Sequence, residues 1–170
     1  MDPENQLAAN YARKAAENTA GDDYLKLSSL MCWDAVKHCA LKAGIIDQTQ
    51  YNRINGKSDM VGGASAVLAR PQTIASLQPG QILGFYFVED GQERMMHCML
   101  SVGQGKAAGN KNDCMGIGRT VGWEVLDLGG LRWDGDQLTC PRGAASSNPG
   151  VMVYRNVICR YNWISYLRFR

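Results

Sequence analysis

The run "QILGFYFVEDGQERMMHCMLSVG", residues 81–103, is where this chain changes character. It follows the Pro79, Gly80 turn, and its aromatic and β-branched content, interrupted at "EDGQE", reads as two strands joined in a hairpin. The sequence on its N-terminal side reads differently. Residues 3–20 are Ala-rich and helical, with Pro3 tolerated in the first turn and a stop before Gly21. A second helix is capped by Ser28 or Ser29 and ended by Gly44. Within it Cys32, Ala35, Val36, Cys39, Ala40 and Ala43 recur at the spacing that lines one helical face. That face is small and apolar, which suits close packing on a sheet, and Asp34, Lys37, His38 and Lys42 are expected in solvent.

Between Ile46 and Gly80 the signals are mixed: a short helix in "IDQTQYNRI", a loop at "NGKSDMVGG", and a helical stretch cut by Pro71 in "ASAVLARPQTIASLQPG". After the hairpin, further strands are expected at 105–109, in "TVGWEVLDL" and in "GVMVYRNVICRYNW", with long loops between the last two. Helices first and an antiparallel sheet afterwards define an α+β class, N-terminal helices packed on a C-terminal sheet. A length of 170 residues without internal repeats gives one domain, 1–170.

Composition excludes several function classes. Eighteen basic against sixteen acidic residues give a net charge of +2, short of the basic balance typical of nucleic-acid binding. No stretch approaches the roughly 20 apolar residues of a membrane span, and the first twenty residues lack the apolar run of a signal peptide. The expected location is therefore outside the cell by a route without a cleaved Sec signal, or the cytosol. Six cysteines, no CxxC pair and two histidines offer no zinc ligand set, and no cofactor is expected. Cys140 with Cys159, or Cys98 with Cys114, are candidate disulfides in an oxidising compartment.

Chemistry is expected at Cys32. A thiol at a helix N-terminus feels the positive end of the dipole, which favours thiolate, whereas Cys39 lies two turns further in and reads as core filler. A nucleophilic thiol needs a base, and imidazole titrates in the right range. His38 lies on another face of the same helix, which leaves His97. Alternation puts Met95, His97, Met99 and Ser101 on one strand face, and Met96, Cys98, Leu100 and Val102 on the other, more apolar one. His97 then looks toward whatever covers the Met99 face, with the Cys32 helix as a candidate. Of the tryptophans, Trp33, Trp123, Trp133 and Trp163, most are expected to be packing anchors, and "CRYNWISYLRFR" reads as a surface strand or a contact for an acidic partner.

"SLQPGQILGFYF" followed by "HCMLSVGQGKAAGN" resembles the NlpC-type papain-like cysteine peptidases and the related CHAP amidases. Leu77, Pro79 and Gly80 match the turn before the first core strand, and His97, Leu100, Val102, Gly103 and Gly105 match the strand that the base histidine opens. "MCWDAVKHCALKAGI" is similar to the family's nucleophile helix, although Met31 and Trp33 stand where an Asp and a Ser or Gly are usual. The resemblance covers about 80 residues. It implies a papain-like fold and cleavage of an amide bond in peptidoglycan peptides, with Cys32 as nucleophile and His97 as base. Asn110 is then the orienting third group, with Asn112 or Asp113 as substitutes, and Trp33 and Met99 contact substrate. An immunity or inhibitor protein is the implied partner. The alternatives are a secreted effector of the same fold acting on a host protein as protease, deamidase or acyltransferase, and a non-catalytic binding domain.

Overall fold

A computed structural model describes residues 2–62, 74–135, 137–144 and 154–170. The helical expectation for "ASAVLARPQTIASLQPG" lies largely outside these residues, and only a 3-10 turn at Ile74–Ser76 belongs to it. The N-terminal part contains α1 (Pro3–Glu17), α2 (Asp22–Ser29), α3 (Cys32–Lys42), α4 (Gln48–Arg53) and α5 (Gly56–Asp59). The sheet follows, with β1 (Gln81–Glu89), β2 (Gln92–Gly103), β3 (Lys106–Gly109), β4 (Glu124–Asp127), β5 (Trp133–Asp134), β6 (Gln137–Ala144) and β7 (Tyr154–Trp163). Its order is β4-β3-β2-β1-β7-β6-β5, every neighbouring pair antiparallel. The α+β class is therefore as expected, helices before an antiparallel sheet.

The segment 129–150, expected as loop, contributes both β5 and β6, and "NGKSDMVGG" contains the one-turn α5. In β6, Leu138 and Cys140 alternate inward across Thr139, but two such residues in a Gly-rich run are too few to announce a strand. The helix expected from Ser28 is two helices. Leu30 and Met31 are extended and separate α2 from α3, so Cys32 is the first helical residue after Met31. Gly44 ends α3 as expected: at φ +77 it lets its own N–H reach the Leu41 carbonyl while the Ile45 N–H reaches Ala40.

The two faces of the sheet are both covered. On one, α1 and α3 lay Ala8, Ala12, Ala35, Val36 and Cys39 against Ile82, Cys98 and Leu100. On the other, Leu83, Phe85 and Met99 join Leu138, Val157 and Cys159 in a core without α-helical residues. Lys37 and His38, expected in solvent, are buried under α4. The Lys37 ammonium donates to the Tyr51 and Ile54 carbonyls at 2.9 and 3.0 Å and stands over the Tyr51 ring, and His38 lies between Tyr11 and Tyr51. An amphipathic stem closes the gap between helices while its charge finds carbonyls, which periodicity does not signal.

Gly80 connects the layers. Its N–H donates to the Ser101 carbonyl, its own carbonyl accepts from Ile164, and a methyl group there would overlap the Asn5 backbone, at a φ of +88. Gly80→Ala is expected to lower unfolding free energy by about 2–4 kcal/mol, measured by urea denaturation; an unchanged midpoint would show that α1 does not bear on this turn.

Candidate active site

The hairpin register sets the site. Phe85 pairs with His97 but Tyr86 pairs with Met95, so Met96 is the extra residue of a β-bulge. Upstream of it the alternation inverts: Met95 joins the helix-side core and Met96 the opposite one, the reverse of simple alternation. Downstream, Cys98 and Leu100 face the helices, and His97 and Met99 face away from them. The Cys32 helix therefore covers the Cys98 face rather than the His97 face.

His97 is buried, its ring stacked on Phe85 with centroids 6.1 Å apart. Its Nε2 lies 2.8 Å from Oδ1 of Asn112. The Asn112 amide is oriented by its own donor, Nδ2, which reaches the Gly109 carbonyl at 3.0 Å and Oε1 of Glu124 at 3.4 Å. Both neighbours accept only, so Oδ1 must face the ring and Nε2 must carry the proton. The neutral imidazole then has its free lone pair on Nδ1, the form a base requires. Burial pushes the His97 pKa down to about 4, against smaller opposing effects of the Asn112 hydrogen bond and the Asp113 carboxylate.

Cys32 opens α3 at the edge of β2, beyond the last paired residues of β3. The backbone N–H groups of Cys98 and Trp33 point at its sulfur and favour the anion, as does the Lys111 charge, but burial outweighs them and pushes the thiol up to about 11. The expectation of a thiolate favoured by the helix terminus is thus reversed by desolvation. Met31 supplies no side-chain cap to α3. Cys32 and His97 occupy opposite faces of β2 with the Cys98 amide between them, and no hydrogen bond joins thiol to ring.

The remaining expected residues are distributed as follows. Asn110 turns away from His97, its Nδ2 donating to the Leu27 and Leu30 carbonyls at 2.8 and 2.6 Å, and Asn112 takes the imidazole contact. The physical reason is the left-handed backbone of Lys111 between them (φ 52, ψ 35), which breaks the alternation that would otherwise put residues 110 and 112 on one side. Met99 is fully buried against Gly109 and offers no surface to a substrate. Trp33 is half-buried, packed on Gly56 with the Lys57 ammonium 5.7 Å above its ring. Trp123 anchors α1 through a 2.8 Å bond from Nε1 to the Ala12 carbonyl. None of the six cysteines is in a disulfide, so neither suggested pairing is present.

Two residues at the site were not anticipated. Glu124, at the start of β4, gathers Asn112 together with the Arg119 and Thr120 amides. Lys111 places its ammonium on the Leu30 carbonyl at 2.7 Å. The only sequence signal for Lys111 was the polar run "GNKND", which reads equally well as a plain turn, and Glu124 in "TVGWEVLDL" had none. Among the described residues no cluster of three metal-ligating side chains occurs, and no helix is long and apolar enough to cross a membrane. A cavity of about 530 Å³ bordered by Lys57, Tyr86, Arg94 and Met95 adjoins Trp33 through Lys57. No protein-family model, no curated protein and no solved structure matches the chain.

The buried neutral imidazole gives a signed pH dependence. An unfolded histidine takes up its proton near 6.5, the folded one near 4, so between these values the unfolded state binds more protons. This contribution to stability is complete above about pH 6.5 and is lost as pH falls toward 4, by up to roughly 3 kcal/mol. Subtracting the stability curve of His97→Gln from that of the wild type isolates it. The difference should be flat above pH 6.5 and decline below; a pH-independent difference would place the proton elsewhere.

Proposed function

We propose that the chain is a cysteine hydrolase of papain-like type that cleaves an amide bond, with Cys32 as nucleophile, His97 as base and Asn112 as the group that orients the base. The observation carrying this reading is the 2.8 Å contact of the buried His97 with an asparagine whose own partners fix the proton on Nε2, on the strand whose next amide points at the Cys32 sulfur. A buried His–Asn pair beside a helix-opening thiol is more arrangement than packing requires.

In this mechanism Nδ1 of His97 accepts the Cys32 proton as the sulfur attacks the carbonyl carbon. The imidazolium keeps its Nε2–H on Asn112, and the uncapped N–H groups of the first turn of α3 face the developing oxyanion. The imidazolium then protonates the leaving nitrogen, and water, deprotonated by the same ring, releases the acyl group from sulfur. The resting pair is neutral, since burial holds the thiol up and the imidazole down. Proton transfer is therefore coupled to attack, and because thiol and ring lie on opposite faces of β2 it requires the Cys32 end of α3 to shift around that strand when substrate binds.

The resemblance to NlpC-type and CHAP enzymes makes peptidoglycan peptides the first substrate class to test, and action outside the producing cell the matching location. Purified protein incubated with peptidoglycan fragments should release cleaved peptides detectable by mass. Cys32→Ala should abolish release without unfolding the protein. Asn112→Ala should lower kcat about 10- to 100-fold at similar stability. Asn110→Ala should instead cost about 1–3 kcal/mol of stability by stranding the Leu27 carbonyl and removing one of the two donors to Leu30. Product formation that survives Cys32→Ala, or a wild type inert toward both the fragments and small activated esters, would overturn the reading.

A further inference from the structure

The turn between β3 and the 3-10 segment Asn112–Met115 contains a lysine that the catalytic reading does not use. Lys111 adopts a left-handed backbone, φ 52 and ψ 35, a conformation that costs a side-chain-bearing residue energy and persists when its surroundings hold it. Its surroundings do so at both ends. The backbone N–H donates to the Val121 carbonyl at 3.1 Å, and Nζ donates to the Leu30 carbonyl at 2.7 Å and the Ser28 carbonyl at 3.4 Å. Leu30 is two residues from Cys32, so the ammonium is clamped onto the junction from which the nucleophile helix starts. Asn110 clamps the same junction, so Leu30 has a neutral donor already and a cation is not needed to satisfy it.

We propose that Lys111 is a positioning residue of the Cys32 site whose ammonium, held on the Leu30 carbonyl two residues before Cys32, supplies a fixed positive charge near the sulfur as it becomes an anion. This inference names a further residue for the hydrolase reading and rests on that reading only for its catalytic use. The groups acting on the sulfur sort cleanly by sign. Lys111 and the Cys98 and Trp33 amides favour the anion, and Asp34 on α3 opposes it. Cys98, from β2, and Cys114, from the 3-10 segment, are thiols held neutral by burial. His97 is neutral at rest and becomes a cation only when it takes the proton. Lys111 is therefore the resting cation in this set, and in a buried site one such charge acts through low dielectric.

The test reads the thiol directly and needs no substrate. Wild type, Lys111→Gln, Lys111→Arg and Lys111→Met are alkylated with iodoacetamide from pH 7 to 10, and modification of the Cys32 peptide is followed by mass spectrometry. In each case the thiolate displaces iodide from the methylene carbon. Gln keeps amide donors for the Leu30 carbonyl but no charge, and Arg keeps the charge. The expected result is an alkylation rate at pH 8 about tenfold lower in Lys111→Gln and Lys111→Met, and near wild type in Lys111→Arg. A Lys111→Gln rate equal to wild type would overturn the proposal and leave Lys111 a structural clamp. Should Lys111→Met fail to fold, the Gln and Arg pair decides alone. Charge-dependent alkylation without hydrolysis in the wild type would leave this inference standing and remove the hydrolase reading; hydrolysis with charge-independent alkylation would do the reverse.

Discussion

The hydrogen bonds made by residues 109–112 hold the rest of the site in register. At the end of β3 the left-handed Lys111 turns the chain: Asn110 and Lys111 reach the carbonyls of Leu27, Ser28 and Leu30, and Asn112 reaches His97. One turn thus ties the end of α2 and the start of α3 to the imidazole on the opposite face of the sheet. Those carbonyls belong to a helix C-terminus and an extended break, where no intrahelical donor exists, so side chains must supply them. Asn110 does so at a cost, since its Oδ1 is buried without a donor. The amide cannot serve both demands, and its donor goes to Leu27 and Leu30, the first of which has no other side-chain donor in this turn.

The β-bulge at Met96 contributes the other half of the geometry. Without the extra residue, continuous alternation from Val88 inward would not place Met95 among the helices and Met96 in the far core together with His97. Two successive side chains entering one core bring the imidazole against Phe85 and beneath the 3-10 segment that contains Asn112. The bulge also lies near where β3 has ended, so the Cys98 N–H is not used by a third strand and can point at the sulfur. Strand length and bulge position together create a strand edge at which a helix terminus can approach the backbone.

Much of this was legible in the sequence. The order of helices and strands, the small-residue face of α3, the Gly44 stop and the hairpin followed from periodicity and turn chemistry, because each is a local pattern repeated several times. What was not legible depends on single long-range contacts. Lys37 is charged and sits where a solvent face is expected, yet carbonyls seventeen and fourteen residues away bury it. Asn110 and Asn112 are the same residue type two positions apart, and only the direction in which the chain leaves β3 distinguishes a helix clamp from a partner for His97. The division of the Met and Cys residues between the two cores turned on one inserted residue, which alternation does not detect. Strands β5 and β6 lie in Gly-rich, weakly alternating sequence, where the pairing of β6 with β7 and of β5 with β6, rather than propensity, makes the strands.

The electrostatics of Cys32 show which physical effect dominates at such an edge. A helix N-terminus is worth roughly 0.3–1 kcal/mol to an adjacent anion. Raising a thiol from its ordinary 9.0 to about 11 corresponds to roughly 3 kcal/mol against that anion. Burial therefore exceeds the dipole severalfold, and the amides and ammonium aimed at the sulfur reduce the penalty without cancelling it. The same burial keeps His97 neutral, so neither member of the pair is charged at rest. For a site of this kind neutrality is consistent with function. In the proposed reaction charge would appear on sulfur and imidazole together, with the Cys98 and Trp33 amides and Lys111 favouring the anion. The structure thus stores its polarity in fixed backbone amides, Asn112 and Lys111 rather than in a preformed ion pair, and the cost of burying an isolated anion is avoided until the carbonyl is present to share it.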